Sequence, residues 1–315
     1  MALALSFAGA SHAAPVWASG TNLVKYINYE NEYRAFTATA DGLTTCVGCL
    51  GAVAGDPTGY RRVDPTIANN TQVGDLFIGI LDLTSTFAGI NQINFPTPGN
   101  LFTGYFVQKV GSITNLSATS LQLGLTSAVD PFGILAAGAM YNLYSNVATF
   151  TVGAGGLNIT TDVANATSGT FWASLFNPAQ SSGKDGYAYT LTDTSVINSS
   201  NTTSFTALDI LTAGPGYNAG LLNKVNDTGE TAVGGTITNA GIVCNAADIA
   251  GLSSCTDFVA ESKIQPTTLG QFGVTSPWMF ESQDPVLLNK IPEPGTLALM
   301  GLALAGLSLM RRKSV

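Results

Sequence analysis

Residues 74–83 (GDLFIGILDL) are the stretch that decides the fold class of this chain. The run is short and apolar, contains aromatic and β-branched residues, and is bounded by turn-forming residues, which is typical of a strand buried in a protein core. Residues 101–110 have the same character. The two runs therefore predict β-structure at the centre of the molecule.

Alternation of apolar and polar residues predicts further strands elsewhere in the chain. Because successive residues of a strand point to opposite faces, each alternating set would place one face inward and a polar face outward. We expect an all-β fold, namely a single β-sandwich-like domain with long loops. The alternating sets are Leu121, Leu123 and Leu125; Ala148, Phe150 and Val152; and Tyr187, Tyr189 and Leu191.

One helix is also expected, over residues 131–144, where apolar residues recur at helical spacing. Gly133 and Gly138 fall inside this segment and disfavour a helix. No repeat of fixed period and no linker divides the chain, so we expect one domain.

Residues 291–315 differ in character from everything before them. They begin with a Pro-Glu-Pro box (Pro292, Glu293 and Pro294), continue with an uncharged apolar run over 296–310, and end with a basic cluster of Arg311, Arg312 and Lys313. A helix over the run would be about 22 Å long, short of the roughly 30 Å hydrocarbon core of a membrane. The span therefore suits a temporary stop better than a permanent anchor, and the cations would hold the end of the chain in the cytoplasm.

This arrangement of box, hydrophobic sorting helix and basic stop resembles the PEP-CTERM sorting signal of Gram-negative bacteria that export exopolysaccharide. The resemblance implies that an exosortase-type enzyme in the inner membrane processes the tail near the Pro-Glu-Pro box. The protein would then leave its membrane-bound intermediate for the cell surface or the extracellular matrix. An ordinary C-terminal membrane anchor is the alternative interpretation of the same segment.

The beginning of the chain predicts export as well. Residues 1–10 are apolar and small, and residues 11–13 offer the small side chains that a signal peptidase recognises, with cleavage between Ala13 and Ala14. No Lys or Arg precedes the apolar stretch. We therefore expect a signal peptide at 1–13, an all-β extracellular domain at 14–262, a connecting segment at 263–290 and the sorting tail at 291–315.

The charge balance restricts the function classes. The chain has 12 basic and 20 acidic residues, three of the basic ones lie in the terminal stop, and only 10% of residues are charged. An acidic body argues against nucleic acid as a partner, because such binding needs a positive surface. The only histidine, His12, would leave with the signal peptide, which argues against histidine-based catalysis and imidazole metal sites.

Four cysteines predict two disulfides in an oxidising compartment. Three connectivities are possible, and we prefer the local pairing of Cys46 with Cys49 and of Cys244 with Cys255. The sequence from Cys46 to Cys49 is also compatible with a redox motif or with half of a zinc site.

Other candidate sites are speculative. Trp172, Tyr187 and Tyr189 are proposed as stacking contacts for sugar rings, although such residues more often pack in a core. The loop around Asp185 favours a structural turn, with Ca²⁺ binding as the alternative. We predict no catalytic residue, no cofactor-binding residue and no metal ligand.

Taken with the resemblance, these features predict a non-enzymatic surface or matrix protein lodged in the exopolysaccharide of a biofilm or floc. Two alternatives stay open, a lectin-like module that binds polysaccharide and a secreted carbohydrate-active enzyme that uses two carboxylates. The exosortase, the exopolysaccharide and, before processing, the membrane are the expected partners.

Overall fold

The computed structural model describes residues 20–38, 44–65, 67, 70–88, 91–94, 101–117, 120–176, 187–191, 202–214, 228–232, 235–238, 258–266 and 277–290. These residues form strands joined by turns, together with one short helix, α1 (Ile159–Ala166). The strands are β1 (Gly20–Ala35), β2 (Thr37–Ala38), β3 (Thr44–Thr45), β4 (Tyr60–Arg62), β5 (Leu76–Ala88), β6 (Asn91–Asn94), β7 (Leu101–Ser117), β8 (Ser120–Thr126), β9 (Tyr141–Val147), β10 (Thr170–Phe176), β11 (Tyr187–Leu191), β12 (Thr202–Ala213), β13 (Thr228–Ala232), β14 (Gly235–Thr238), β15 (Phe258–Pro266) and β16 (Phe280–Lys290).

Twelve of the strands form one antiparallel sheet that closes on itself. Following the hydrogen-bonded neighbours from β1 leads through β5, β7, β8, β11, β12, β15 and β16 and back to β1. The all-β class is therefore confirmed. The predicted sandwich of two packed sheets is not observed, because the main strands form one closed sheet. The expected sorting helix at 296–310 lies outside the described residues.

The two long strands β7 and β12 make closure possible because each divides one edge between two partners. β7 pairs with β9 through residues 101–106 and with β8 through residues 109–117. β12 pairs with β11 through residues 202–206 and with β10 through residues 209–213. Because β9 also pairs with β10, two series of paired strands connect β7 to β12. One runs through β8 and β11, and the other runs through β9 and β10.

The apolar run at residues 76–83 lies in β5, and both faces of this strand are buried. On one face Leu76, Ile78 and Ile80 belong to an apolar cluster with α1, while on the other Phe77 and Leu81 lie in clusters inside the sheet. This double burial explains why the run is continuously apolar rather than alternating. Aromatic contacts fill the interior, with ring centroids 5.2 Å apart for Phe102–Trp172 and 5.1 Å apart for Phe106–Tyr141.

The helix expected over residues 131–144 was wrong. Residues 131–140 form a series of turns, and β9 begins at Tyr141. Gly133 and Gly138 have positive φ values of 69° and 84°, which a right-handed helix excludes. The Asp130 carboxylate organises the turns by accepting hydrogen bonds from the backbone N–H groups of Phe132, Ile134 and Leu135 and from the Tyr105 hydroxyl.

The strand expected over residues 148–152 is also absent, because β9 ends at Val147 and the chain turns away from the sheet. Asn146, the last residue but one of β9, adopts a positive φ of 58°, and the pairing with β7 is irregular at this point. Phe150 and Val152 instead pack, partly buried, against the cluster around α1. The strands expected at residues 101–110, 121–125 and 187–191 are confirmed as parts of β7, β8 and β11.

Helix α1 was not anticipated from the sequence. Asn158 caps it by accepting a hydrogen bond from the Thr160 backbone N–H at 2.9 Å, and Asp162 lies in the first turn. An Asn followed by an acidic residue in the first turn is a helix-start signal that could have identified it.

Strands lie on both sides of the boundary expected between residues 262 and 263. β15 spans it and β16 ends at Lys290, so residues 263–266 and 280–290 contribute strands to the closed sheet, while the domain bounds stay a prediction. The sorting tail consequently begins where the last strand ends.

Replacing Asp130 by Ala should destabilise the fold by about 3 kcal/mol, because several donors buried around one carboxylate would lose a charged acceptor. Chemical unfolding in urea would measure the change. The neighbouring Val129→Ala variant is the control, since Val129 is 87% exposed and its truncation should cost less than about 0.5 kcal/mol. Equal losses in the two variants would contradict this role of Asp130.

Candidate functional site

The first and last strands of the sheet lie side by side over most of their length. β1 and β16 pair antiparallel without interruption from Gly20 opposite Lys290 to Glu30 opposite Phe280. The start of the folded body and the start of the sorting tail therefore meet at one end of the sheet, which we call the terminal pole (the ends of β1 and β16 at Gly20 and Lys290).

On its other edge β16 pairs with β15, and this ladder is interrupted once. Pairing covers residues 286–288 and residues 280–283 of β16 but skips Asp284 and Pro285. Proline has no backbone N–H to donate, which accounts for the gap. Residues 286–288 consequently form a separate three-residue ladder with β15, and β16 ends two residues later at Lys290.

Buried hydrogen bonds fix the point at which β16 begins. The Asn31 side chain donates to the carbonyl oxygen of Pro277 at 2.9 Å and accepts from the backbone N–H of Met279 at 2.7 Å. Arg62 donates to the same Pro277 carbonyl at 2.7 Å, and the Trp278 indole donates to the Asp162 carboxylate at 2.7 Å. Residues 277–280 are thus held by β1, β4 and α1 at once.

A buried ion pair holds the opposite end of β1. The Arg34 guanidinium donates to both carboxylate oxygens of Asp75, from Nε at 2.9 Å and from Nη2 at 2.7 Å. The same guanidinium donates to the carbonyl oxygens of Val47, at 2.7 Å, and of Asn70. It therefore ties two loops to the sheet at the end of β1 farthest from the tail.

Glu32 lies beside this ion pair and is 1% exposed. Burial, and then the charge of Asp75, raise the pKa of the Glu32 carboxyl well above its ordinary value of 4.5, while the Thr71 hydroxyl and Arg34 act in the opposite direction. Asp75 is 2% exposed. A substrate would not reach two carboxyl groups buried to this degree, so the arrangement serves the structure of this end of the sheet.

Residues 29–34 (YENEYR), which were not predicted to have a role, supply Asn31, Glu32 and Arg34 to these networks. The sequence contained a signal for this role. Charged and amide residues occupy consecutive positions of the strand, whereas a strand with one face in solvent would alternate polar and apolar residues. Such a pattern indicates buried polar side chains with specific partners.

Trp172 does not fit the proposed role as a sugar contact. It is 1% exposed and meets Phe102 edge-on in the core, so the packing alternative describes its position. Tyr187 and Tyr189 lie in β11, where register places Tyr187 opposite Thr206 and Tyr189 opposite the buried Leu123. The structure describes the strand but not these two side chains.

Cys46 and Cys49 form a disulfide in the structure, with 5.4 Å between their Cα atoms, in a turn held by Arg34 and by the Asn70 amide, which donates to the Gly48 carbonyl at 2.6 Å. Cys244 and Cys255 fall outside the described residues, and their pairing stays a prediction. Ala13, Ala14 and the tail residues 291–315 are outside them as well.

Two further findings concern the described part of the chain alone. No helix among those residues is long and apolar enough to cross a membrane. Nor do they contain a group of three or more His, Cys, Asp or Glu side chains placed to hold a metal ion.

Replacing Glu32 by Gln should reduce the dependence of stability on pH. A carboxyl group with a raised pKa in the folded state binds its proton more readily there than in the unfolded chain. The stability that protonated Glu32 contributes is therefore complete below the ordinary pKa near 4.5. It is lost as the pH rises through the pKa of the folded state. Urea unfolding at several pH values should show the variant losing less stability than the parent as pH rises.

The Thr71→Val variant supplies the matched comparison, because it removes the hydroxyl donor to Glu32 at 3.2 Å and should steepen the loss at rising pH. Parallel pH profiles for the parent and both variants would contradict the assignment to Glu32.

Comparison with known protein families finds a match at the carboxyl end of the chain. Residues 290–313 match the family model described as the PEP-CTERM protein-sorting motif. No curated protein and no solved structure matches the chain. The resemblance inferred from the Pro-Glu-Pro box and the segment after it is confirmed, and the match begins at Lys290, the last residue of β16. The carboxyl end of this chain is therefore a PEP-CTERM sorting motif, which marks an exported protein sorted by an exosortase.

Proposed function

We propose that this protein is a non-enzymatic structural component of the exopolysaccharide layer, delivered there after exosortase processing of its tail. The sorting motif at residues 290–313 is the observation that carries the proposal. In this account the apolar run at 296–310 stops the exported chain in the inner membrane. Cleavage near Pro292, Glu293 and Pro294 then releases the sheet to the outer surface.

The composition supports an outer location. Only 10% of the residues are charged, and the chain contains 35 glycines. A surface of neutral hydrogen-bonding groups interacts with hydrated sugars without attracting nucleic acid. Cohesion between protein and glycan is the role that this surface favours.

The closed sheet supports a structural role. Pairing eight strands in a ring leaves only short strands such as β4 and β6 at an edge, which limits the open edges at which sheet proteins aggregate. The ion pairs Arg34–Asp75 and Arg62–Asp56, at 2.7 and 2.8 Å, together with the hydrogen bonds at Pro277, would help the body persist outside the cell. Binding of polysaccharide by exposed aromatic residues is a weaker second candidate, since Trp172 lies in the core.

Incubating the purified body with polysaccharide from the producing cells distinguishes the candidates. A cohesive role predicts retention of the protein in the polysaccharide gel with no new reducing ends. Release of reducing ends would instead establish a carbohydrate-active enzyme, and saturable binding to one soluble glycan would establish a lectin.

Replacing Glu293 by Ala should leave a larger form of the protein in the membrane fraction, because the box would no longer present its carboxylate to the processing enzyme. Immunoblots of membrane and extracellular fractions would measure both size and location. The Glu230→Ala variant removes an acidic residue of β13, well before the box in the sequence, and should be processed as the parent is. Normal size and release of the Glu293 variant would contradict processing at the box.

Replacing Arg311, Arg312 and Lys313 together by Gln should let the tail pass through the membrane, since the cations hold the end of the chain in the cytoplasm. Protease protection of a C-terminal epitope would report this topology. The control is Lys109→Gln on the exposed surface of β7, which should leave the epitope protected. If the epitope of the triple variant stayed protected from protease, another element of the chain would hold the tail in the membrane.

A further inference from the structure

The Pro-Glu-Pro box follows the terminal pole almost immediately in the sequence. β16 ends at Lys290, and Ile291 alone separates this residue from Pro292. Two residues of fully extended chain reach about 7 Å. On the other side of the box, Gly295 alone precedes the apolar run. The sequence therefore leaves little chain between the sheet, the box and the segment expected to stop in the membrane.

An enzyme that cleaves near the box needs room around it. A protein element that packs on the face of a strand lies about 10 Å from it, and one that pairs with its edge lies about 4.8 Å from it. In the sheet, β1 pairs with one edge of β16 up to Lys290, and β15 pairs with the other edge up to Leu288. Because the box begins within about 7 Å of Lys290, the ends of these two strands obstruct an enzyme that would bind along it.

Irregular pairing separates the last segment of β16 (residues 286–290) from the rest of the strand. The ladder with β15 skips Asp284 and Pro285. At the same level of the sheet, the pairing of β1 with β5 shifts its register between Lys25 and Tyr26, which lie opposite Pro285 and Asp284. Irregularities of this kind disrupt a ladder locally. One irregular line therefore crosses neighbouring strands just before the last segment.

The two parts of β16 are held in different ways. Before the irregular line, Asn31 and Arg62 donate buried hydrogen bonds to the carbonyl oxygen of Pro277, where the chain enters the strand. After the line, the last segment pairs with residues 20–24 of β1 and with residues 258–260 of β15. The ends of strands open locally at a lower free-energy cost than the interior of a sheet. The last segment can therefore open while the beginning of β16 stays in place.

We propose that the pairing of residues 286–290 controls exosortase processing, so that the enzyme reaches the box only when this segment has detached from β1 and β15. Detachment lengthens the free chain before the box from about 7 Å to about 24 Å. The folded sheet thus protects its own tail, and the rate of processing depends on how often the last segment opens. This inference rests on the proposed function, because it requires cleavage near the box.

A disulfide across the last segment tests the proposal. Thr21 lies opposite Asn289, and residues opposite each other in antiparallel strands have Cα atoms about 4.5–5.5 Å apart, which a disulfide can span. In the full chain carrying Thr21→Cys and Asn289→Cys, we expect processing to be about tenfold slower than in the parent. Pulse labelling of producing cells and immunoblots of membrane and extracellular fractions would measure the rate. Dithiothreitol should restore the rate of the parent treated in the same way.

The matched control crosslinks the same two strands before the irregular line. Ile27 lies opposite Gln283, so a disulfide between Ile27→Cys and Gln283→Cys fixes the pairing of β1 with β16 but leaves the last segment able to detach. We expect this variant to be processed at the parent rate. Equal rates in the two crosslinked variants would overturn the proposal.

A longer connection to the box separates loss of access from loss of folding. Five Gly and Ser residues inserted between Lys290 and Ile291 would move the box up to about 17 Å further from the sheet. This insertion should restore processing to the chain crosslinked between positions 21 and 289, without reductant. If the crosslinked chain with the insertion stayed unprocessed, pairing of the last segment would not be what limits access, and the proposal would be wrong.

Processing of the parent distinguishes failure of this inference from failure of the proposed function. An unprocessed parent chain in producing cells would overturn the cleavage step of the proposed function and this inference with it. A parent chain that is processed at the same rate as the chain crosslinked between positions 21 and 289 would overturn this inference alone.

Discussion

The pairing of β1 with β16 is the constraint on which the rest of the structure depends. It closes the ring of strands and places Lys290, where the sorting motif begins, beside Gly20 at the start of β1. The partners are far apart in sequence, so bringing them together costs more loop-closure entropy than a local hairpin. The ring cannot close before residues 280–290 have left the export channel, and those residues immediately precede the segment expected to stop in the membrane. In the proposed export pathway, folding and membrane arrest would therefore be coupled by the position of one strand.

Buried polar groups compensate for this cost by fixing the register of β1. Asn31 recognises the backbone of residues 277–279, and Arg34 recognises Asp75 and two loop carbonyls. Shifting β1 by one residue would move every one of these groups to the wrong face and leave buried charges without partners, which costs about 3–5 kcal/mol for a single broken buried pair. Apolar packing alone would tolerate such a shift more easily. The polar sequence of residues 29–34 thus specifies one arrangement of the sheet.

The sequence predicted the features that depend on local patterns. The apolar runs in β5 and β7 and the alternation at 121–125 identified strands, and the motif at the chain end was recognisable because box, span and cations are contiguous. The closed ring could not be predicted, since alternation is the same whether a sheet closes or packs on another. The helix expected at 131–144 failed because two glycines at positive φ and the Asp130 carboxylate stabilise turns there. Trp172 was ambiguous because an aromatic residue in a strand looks the same whether it faces sugar or core.

The antiparallel contact between β1 and β16 also has a mechanical consequence. A load applied between the tail at Lys290 and the far end of the sheet runs along β16, parallel to the strand axis. All eleven residue pairs with β1 would then resist sliding together, whereas a load that separated Gly20 from Lys290 would break them one after another. The sheet would therefore resist force applied along its strands, but it would separate more easily under force applied across the Gly20–Lys290 pair. In the extracellular layer proposed above, this strong direction would be the one that flow loads.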